Sequence, residues 1–496
     1  MIYLILIIKP KQEQAIRPMS LFPFSEELVT ERLRFENPWW ITGNIEAYYS
    51  SMSPRLYKKL FLPLVIDHSV KRAVILMGPR RVGKTVLLYH SIQELLDAGH
   101  DPQKIAFISI ETPVYTNASP DALFRLCRKV TGNADPKGWY VFLDEIQYLK
   151  EWKRHLKSLV DSYPETKFVV SGSAAAALKL KSTESGAGRF TEFMLPPLTF
   201  NEYIHLLGLQ NLLRASEQSP PGFDYEAFDT GKLNEHFLNY INYGGYPEVI
   251  FSESIRADPG RYIRSDIVEK VLLRDLPGLY GIKDVQELNS LFTMIAWNSG
   301  QEFSLEELSK SSGGVDKNTL KRYIEYLEAA FLVRKLLRTD NSAKRFKRMV
   351  QFKIYLTNPS LRSALFGPIT ATDDHIGAMV ETAVLAQWMH SEQSHLWYAR
   401  WPKGEVDLVE LNKHSFKPSW AVEIKWSNHC FERPSELKSL LSFCQTNKLK
   451  EALVTTIDKQ GTRECDSIKL NFVPAAVYAW KVGNNILYGK ETHQKL

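Results

Sequence analysis

A phosphate-binding pattern is the clearest chemical signal in this sequence. An unbroken G-x4-G-K-[ST] motif begins at Gly78 and ends at Lys84 and Thr85. Its glycines let the backbone wrap a phosphate with N–H groups, the lysine reaches the β- and γ-phosphates, and the threonine hydroxyl binds Mg²⁺. We therefore expect ATP and Mg²⁺ as cofactors. The predicted binding residues are Gly78, Pro79, Arg80, Arg81, Val82, Gly83, Lys84 and Thr85.

Two acidic residues, Asp144 and Glu145, end a second apolar run further along the chain. Asp144 at the strand tip can hold the water shell of Mg²⁺, and Glu145 is placed to polarise the attacking water. Ser171 and Ser173 end the next apolar run, where a hydroxyl can sense the γ-phosphate of a bound nucleotide. A plain turn is the alternative interpretation of these two serines.

A third set of chemical groups lies near the C-terminus, where Asp407 and the pair Glu423 and Lys425 occupy apolar strands. Strand alternation places Glu423 and Lys425 on one face, and a hairpin would bring Asp407 beside them. Two carboxylates can share a divalent metal ion, and a nearby ammonium can act on the attacking water or on the phosphate. This D…E-x-K arrangement resembles the PD-(D/E)xK nuclease fold, which implies a further acid from a preceding helix, and Glu381 is the candidate.

Three interpretations of these C-terminal residues remain open. They form an active metal-dependent nuclease site, with Glu381, Asp407 and Glu423 as metal ligands; a nuclease-like fold used only for binding; or an ordinary salt-bridged pair of strands. The motif alone does not separate them, because E-x-K on a strand is also common as an exposed ion pair.

The elements that must position the phosphate loop alternate between strand and helix. Apolar runs at 73–77, 105–110, 140–143 and 167–170 have the length and β-branched content of buried strands, and helical segments separate them. Continuous apolar strands separated by helices predict an α/β fold with a parallel sheet covered by helices on both faces. Strands are expected again after residue 353.

A known family shares several of these motifs: the sequence resembles the AAA+-like ATPases of the AAA_14/DUF4143 family. The resemblance rests on the phosphate loop and on the runs Leu143-Asp-Glu-Ile146, Ser171-Gly-Ser173, Gly188-Arg189-Phe190, Leu195-Pro-Pro-Leu-Thr-Phe200-Asn-Glu-Tyr203 and Gly244-Gly-Tyr-Pro-Glu248. It implies a P-loop NTPase core and a homo-oligomer such as a ring, in which Arg189 reaches a neighbour's γ-phosphate. A contact within the same chain and a plain loop arginine are the alternatives for Arg189.

The middle of the chain has helix–turn–helix character. Residues 303–310 start with a serine N-cap, and residues 317–330 place Leu320, Ile324 and Leu327 on one helical face. A strand-like run follows, as in a winged helix, and the second helix exposes Lys317, Asn318, Lys321 and Arg322 toward phosphate or base edges. An oligomerisation or inter-domain module is the alternative.

Positive charge is concentrated next to this segment. The whole chain carries only +6, from 62 Lys and Arg against 56 Asp and Glu. Between residues 334 and 353 the only acid is Asp340, and the basic residues are Arg334, Lys335, Arg338, Lys344, Arg345, Lys347, Arg348 and Lys353. This +7 segment predicts a nucleic-acid partner, DNA more than RNA.

Composition excludes several other classes. Four cysteines form no CxxC pair and twelve histidines show no paired spacing, which argues against zinc chemistry or a disulfide framework and favours a reducing cytoplasm. The apolar run 1–8 is too short to span a bilayer, so we expect no stable membrane insertion. A poorly structured leader is the favoured interpretation, with an edge strand or membrane contact as alternatives.

Five segments follow from these patterns. They are an N-terminal extension (1–55), a P-loop ATPase domain (56–200), a helical connector (201–283), a winged-helix-like domain (284–340) and a restriction-endonuclease-like α/β domain (341–496). The predicted function is ATP binding and hydrolysis, with a C-terminal half that engages nucleic acid, including as a Mg²⁺-dependent nuclease. The alternative is a nucleotide-gated scaffold with an inactive nuclease-like domain that binds a protein partner.

Overall fold

The structure is a computed structural model that describes residues 25–173, 188–216, 225–343, 351–388 and 395–488. Within these ranges no helix combines the length and the apolar character that crossing a membrane requires. The apolar run 1–8 lies outside the described residues. Two large sheets organise the chain.

The first sheet carries the phosphate loop. Its five strands are β1 (Ala73–Met77), β2 (Ile105–Ser109), β3 (Tyr140–Asp144), β4 (Lys167–Gly172) and β5 (Phe190–Met194). They run parallel in the order β2-β3-β4-β1-β5. The α/β core with a parallel sheet is therefore confirmed.

Helices cover both faces of this sheet, because alternate residues of β1 belong to different cores. Val74 and Leu76 pack in one apolar cluster, whereas Ala73, Ile75 and Met77 pack in another. The connecting helices are Lys84–Asp97, Pro120–Thr131 and Trp152–Ser162, with short 3₁₀ turns at Pro102–Lys104, Pro113–Tyr115 and Ile146–Tyr148.

The described part of the predicted N-terminal extension packs against the first sheet. Its helices are Glu26–Glu36, Trp39–Thr42 and Ala47–Ser50, and Lys58–Ile66 follows. Strand β2 lies at the edge of the sheet, and Asn37 pairs with it through both a donor and an acceptor: Asn37 Nδ2 lies 2.8 Å from Phe107 O, and Phe107 N lies 2.6 Å from Asn37 Oδ1. The indole of Trp39 donates to Ile105 O at 2.9 Å. Residues before the expected boundary at 55 therefore close an edge of the core.

A helical connector follows β5. Its helices are Phe200–Leu206, Thr230–Tyr243, Pro247–Phe251, Glu253–Ala257, Leu276–Tyr280 and Val285–Trp297, with a 3₁₀ turn at Gln210–Leu212. Residues Gly260–Glu269 and Val271–Asp275 form wider helical turns of the π type, which the sequence did not predict. A small hairpin pairs β6 (Leu213–Ala215) with β7 (Tyr225–Ala227).

The second sheet has nine strands. They are β8 (Glu302–Ser304), β9 (Val333–Thr339), β10 (Gln351–Leu356), β11 (Leu396–Trp401), β12 (Gly404–Leu411), β13 (Pro418–Glu423), β14 (Glu451–Thr456), β15 (Gly461–Cys465) and β16 (Ile468–Pro474). Their order is β15-β16-β14-β13-β12-β11-β9-β10-β8. The accompanying helices are Leu305–Ser311, Lys317–Ala329, Ser360–Phe366, Ile376–Trp388, His429–Glu432, Lys438–Asn447 and Ala475–Tyr488, with a 3₁₀ turn at Pro434–Glu436.

The winged-helix-like segment is continuous with this sheet. Its two helices, Leu305–Ser311 and Lys317–Ala329, precede β9, and β10 pairs antiparallel with both β8 and β9. Strand β9 also pairs in parallel with β11, so that Leu337 lies opposite Trp397. The boundary predicted at residue 340 therefore cuts through a single sheet. The other boundaries stay predictions.

Candidate functional site

Close packing at the end of β1 determines the shape of the phosphate loop. A Cβ atom on Gly78 would lie 2.0 Å from Leu195 O, so only glycine allows β5 to approach the loop this closely. At the other end, Gly83 has φ +88°, a left-handed conformation that favours glycine. Arg81 also has positive φ, at 61°. Such alternation turns successive N–H groups toward one concave surface, which suits an anion.

The Lys84 ammonium lies inside this loop and is buried. Its Nζ donates to Gly78 O at 3.2 Å and to Pro79 O at 2.8 Å. Burial lowers the pKa of Lys84, while the carboxylates of Glu145 and Asp144 act in the opposite direction. The ammonium is thus held by loop carbonyls that a phosphate oxygen can replace.

Thr85 and Asp144 meet at the foot of the loop. Thr85 Oγ1 donates to Asp144 Oδ2 at 2.8 Å, and the Ser171 hydroxyl donates to the other carboxylate oxygen. Burial, and then the neighbouring Glu145 charge, raise the pKa of Asp144 to about 6. A hydroxyl and a carboxylate side by side are oxygen donors that fit Mg²⁺ beside a nucleotide's phosphates.

Glu145 is held in a strained position next to this pair. Its φ of 55° is left-handed, which is uncommon for a residue with a side chain. Its backbone N–H donates to Ser171 Oγ at 3.1 Å, and the Gln147 amide donates to its carboxylate. Strand β4, which carries Ser171, lies between β1 and β3, and this order brings the serine to both acids. Sequence reasoning identified Ser171 but missed Gln147.

Ser173 lies further from the acids. Its backbone N–H donates to Gln147 Oε1 at 3.1 Å. Its buried hydroxyl has no hydrogen-bond partner among the described residues. The structure therefore brings Ser171, and not Ser173, into direct contact with Asp144 and Glu145.

The two loop arginines face away from the phosphate position. Arg80 forms a paired contact with Asp275, with Nε 2.9 Å from Oδ2 and Nη2 3.0 Å from Oδ1. Arg81 pairs with Glu248 and, at 2.5 Å, with Asp266. Both arginines thus connect the outer side of the loop to the connector. Asp275 and Asp266 lie outside the motifs of the sequence, whereas Glu248 ends the run Gly244-Gly-Tyr-Pro-Glu248, for which the sequence predicted no contact with the loop.

Arg55 is a further residue that sequence reasoning missed. It is buried, and its guanidinium donates to Val82 O at 2.7 Å and Pro196 O at 3.0 Å. The same group makes a two-pronged ion pair with the buried Glu202, at 2.8 and 2.5 Å. Arg55 thus holds the phosphate loop in place through the carbonyl of Val82. As a lone arginine outside any motif, it carried no signal in the sequence.

Arg189 lies at the opposite end of the sheet from the loop. Its backbone O accepts from Ala73 N at 3.0 Å, at the start of β1, whereas the loop follows the end of β1. Five strand residues separate these ends by roughly 16 Å, so Arg189 cannot reach the phosphate loop of its own chain. Its half-exposed side chain pairs with Asp161 at 2.6 Å. The phosphate loop of its own chain is therefore too far from Arg189 for a contact, and the contact with a neighbour's γ-phosphate stays a prediction.

Comparison with known proteins finds a family match that covers the phosphate loop. Residues 70–204 match the AAA domain family. Residues 234–372 match a domain of unknown function, DUF8612, whereas the expected DUF4143 region is not shown and the nuclease-like C-terminal fold is not confirmed. The residues that match the AAA domain therefore include the whole phosphate loop together with Asp144, Glu145 and Arg189.

Similar whole proteins are distant relatives. An uncharacterized protein of Haemophilus influenzae is 24% identical over 297 residues, which are 59% of this chain and 69% of the relative. An uncharacterized protein of Methanocaldococcus jannaschii is 22% identical over 334 residues, 64% of this chain and 68% of the relative. Among solved structures, the Aeropyrum pernix ORC2 protein in ADPNP–ADP complexes has a TM-score of 0.36 and 13% identity, covering 62% of this chain and 91% of that one.

The predicted C-terminal residues do come together. Lys425 Nζ lies 2.7 Å from Glu423 Oε1 and 3.7 Å from Asp407 Oδ2, and Ile424 N donates to the same Asp407 oxygen at 2.8 Å. Burial, and then the Asp407 charge, raise the pKa of Glu423 to about 8, although Lys425 opposes this shift. Glu381 is present too, but its carboxylate contacts Lys353 rather than Lys425.

The donor set of this C-terminal cluster does not fit a divalent metal ion. Within the described residues no group of three or more His, Cys, Asp or Glu side chains is placed to hold one. Lys353 lies among the acids instead, 3.0 Å from Glu381, 2.6 Å from Glu405 and 4.0 Å from Asp407. The predicted metal ligands Glu381, Asp407 and Glu423 therefore share their oxygens with two ammonium groups.

The basic segment is also partly internal. Residues 344–350, with Lys344, Arg345, Lys347 and Arg348, lie outside the described residues. Lys335 pairs with Glu328 at 3.0 Å and Arg338 with Glu302 at 3.6 Å, while burial lowers the pKa of Arg334. With Lys353 among the acids, the described half of this segment is engaged within the protein.

Because the Arg55 guanidinium holds the phosphate loop, its replacement is expected to lower both protein stability and ATP affinity. In Arg55→Lys the ammonium keeps one charge contact with Glu202 but cannot also reach Val82 O and Pro196 O. Loss of such charged hydrogen bonds is expected to cost about 1.5–3 kcal/mol of unfolding free energy and to weaken ATP binding roughly tenfold or more. Urea unfolding and a nucleotide titration measure both quantities.

The matched control for this prediction is Arg154→Lys. Arg154 forms an exposed ion pair with Glu151, so its loss should change stability by no more than about 1 kcal/mol and leave ATP affinity unchanged. An unaltered ATP dissociation constant in Arg55→Lys would contradict the proposed role.

Proposed function

We propose that this protein binds ATP with Mg²⁺ and hydrolyses it at the phosphate loop. The carrying observation is that Lys84, Thr85, Asp144 and Glu145 converge at one edge of the parallel sheet, with Thr85 hydrogen-bonded to Asp144 at 2.8 Å. The match to an AAA domain over residues 70–204 supports the same activity.

The residues divide the chemistry between them. Lys84 exchanges its two carbonyl partners for phosphate oxygens, and the loop N–H groups bind the same phosphates. Thr85 and Asp144 would hold Mg²⁺, which neutralises phosphate charge. Glu145, oriented by Gln147 and Ser171, orients and polarises the attacking water. Such positioning and electrostatic stabilisation account for most of the catalysis of phosphoryl transfer.

We further propose that Arg189 completes the site of a neighbouring chain. The distance from its own loop and its half-exposed side chain at the sheet edge support this arrangement. The homo-oligomer that it requires, a ring for example, is part of the proposal.

The C-terminal half is proposed to engage nucleic acid, with DNA the preferred partner. The helix Lys317–Ala329 exposes Asn318, Lys321 and Arg322, whereas Lys317 pairs with Glu306 at 2.7 Å. The sequence between β9 and β10 contains four basic residues, at 344, 345, 347 and 348. Nuclease activity is not part of the proposal, because the acid cluster holds lysines.

A second candidate is a nucleotide-gated scaffold that binds a protein partner. The ion pairs from Arg80 and Arg81 to the connector favour it, because they link the phosphate loop to the residues that follow the ATPase domain. Absence of any nucleic-acid binding by the purified protein would support this candidate over the first.

Two substitutions test the ATPase site. Lys84→Ala is expected to abolish nucleotide binding or turnover, since no other residue supplies an ammonium inside the loop. Glu145→Gln should retain ATP but slow its hydrolysis by about 10²–10⁴-fold, as for loss of a general base. ATP binding and phosphate release are measured, with the exposed Glu151→Gln as the control of unchanged rate. Wild-type rates in both variants would refute the assignment.

Mixed oligomers test Arg189. Neither Arg189→Ala nor Lys84→Ala should hydrolyse ATP well alone. Lys84→Ala lacks the ammonium of the phosphate loop, and an arginine that stabilises the transition state from a neighbouring chain contributes about 10³–10⁵-fold to the hydrolysis rate of GTPases. Mixing them should restore some hydrolysis, since the phosphate loop of one chain then meets the intact arginine of the other. A mixture of Lys84→Ala with Glu145→Gln is the control, because no site in it is complete. No recovery in an assembled mixture would make Arg189 a structural loop residue.

Salt dependence tests the nucleic-acid partner. Counterion release gives a log–log slope of about −0.9 per phosphate contact on duplex DNA, so replacing Lys344, Arg345, Lys347 and Arg348 by Ala should flatten the slope by up to about three or four units. The control removes four exposed basic residues of the ATPase domain, Arg125, Lys129, Lys137 and Arg154, with the same change in net charge. Equal slopes in the two variants would show that the basic residues at 344, 345, 347 and 348 do not contact the nucleic acid.

A further inference from the structure

Lys353 occupies an unusual position for a residue of a basic segment. It belongs to β10, its side chain is only 4% exposed, and its Nζ lies among three carboxylates. The nearest oxygens are those of Glu405 at 2.6 Å and Glu381 at 3.0 Å, with Asp407 at 4.0 Å. These acids come from different elements, since Glu381 belongs to the helix Ile376–Trp388 and the other two to β12.

The surrounding groups orient the acids toward this ammonium. Tyr355, two residues further along β10, donates to the same Glu381 oxygen at 2.5 Å. Lys353 also lies 5.5 Å from the centre of the Tyr398 ring, a favourable distance for a cation over an aromatic face. Carboxylates gathered in a buried place need a cation, because unpaired buried charges are strongly unfavourable.

We propose that Lys353 is the resident cation of this cluster and takes the position that a divalent metal ion would need. Mg²⁺ requires several oxygens at about 2.0–2.1 Å in an octahedral arrangement, which the carboxylates cannot provide while an ammonium lies between them. The cluster is then a metal-free group of ion pairs that connects the second sheet to the helix Ile376–Trp388. It does not cleave phosphodiesters.

Lys425 does not have the same role. Its side chain is 38% exposed and it contacts the other side of the cluster, at Glu423 and Asp407. The second oxygen of Glu423, Oε2, is buried and has no hydrogen-bond partner among the described residues. Removal of Lys353 therefore leaves Glu405, Glu381 and Asp407 without the cation that lies among them, whereas removal of Lys425 leaves the inner ammonium in place.

The test counts Mn²⁺ ions bound by the nucleotide-free full chain. Lys353→Ala removes both the charge and the bulk, so it should bind one Mn²⁺ more than wild type and show a Tm that Mn²⁺ raises. Lys353→Met removes the charge but keeps the bulk, and Lys425→Ala keeps the inner ammonium, so both should bind the wild-type number. The extra ion should disappear when Asp407→Asn is added to Lys353→Ala.

The wild-type protein and Asp407→Asn test the proposal even if Lys353→Ala does not fold. Asp407→Asn alone should leave the number of bound Mn²⁺ ions unchanged, and the wild-type protein should cut neither DNA nor RNA with Mg²⁺ or Mn²⁺. Three results would each overturn the proposal. The first is the loss of a Mn²⁺ site in Asp407→Asn, and the second is nucleic-acid cleavage by the wild-type protein that Asp407→Asn abolishes. The third is a folded Lys353→Ala protein that binds no extra ion.

Discussion

A buried ion pair behind the phosphate loop is the constraint on which much of this structure depends. Arg55 and Glu202 are both buried, and two charges without water are tolerated only when hydrogen bonds satisfy them. Here the guanidinium also binds the carbonyls of Val82 and Pro196, while Glu202 caps its own helix with Thr199. The loop, the end of β5 and the connector are thus held by one group of contacts.

The start of the connector also contacts two helices that accompany the second sheet. Phe200 N donates to Gln387 Oε1 at 2.8 Å, and Gln387 belongs to the helix that carries Glu381. Gly483 in the last helix approaches Thr199 so closely that its Cβ would lie 3.2 Å from that side chain. The phosphate loop and the Lys353 cluster are therefore linked by continuous packing. On the outer side of the loop, Arg80 and Arg81 add ion pairs with Asp275, Asp266 and Glu248.

Local motifs in the sequence were enough to predict the parallel sheet and the loop that follows its first strand. Apolar runs separated by helices predicted the parallel sheet, and the glycines and Lys84 predicted the loop, because each depends on residues close together in the chain. Gln147 and Arg55 could not be predicted in this way, since their roles arise from partners that the fold brings near. The nine-stranded sheet was missed for a related reason: the pairing of β9 with β11 joins residues about sixty positions apart, and no periodicity in either strand reports its partner.

Lys353 shows why the charge of a segment is a poor guide to the charge of a surface. It was counted with seven other basic residues as part of a nucleic-acid contact, yet it is among the most buried lysines of the chain. Strand alternation, the argument that placed Glu423 beside Lys425, also places Lys353 and Tyr355 on one face of β10. Both side chains bind Glu381, so a lysine two residues from a tyrosine in an apolar strand was the available signal. Because a buried ammonium needs hydrogen-bond acceptors or carboxylates around it, that signal favours polar partners facing β10 over an open surface.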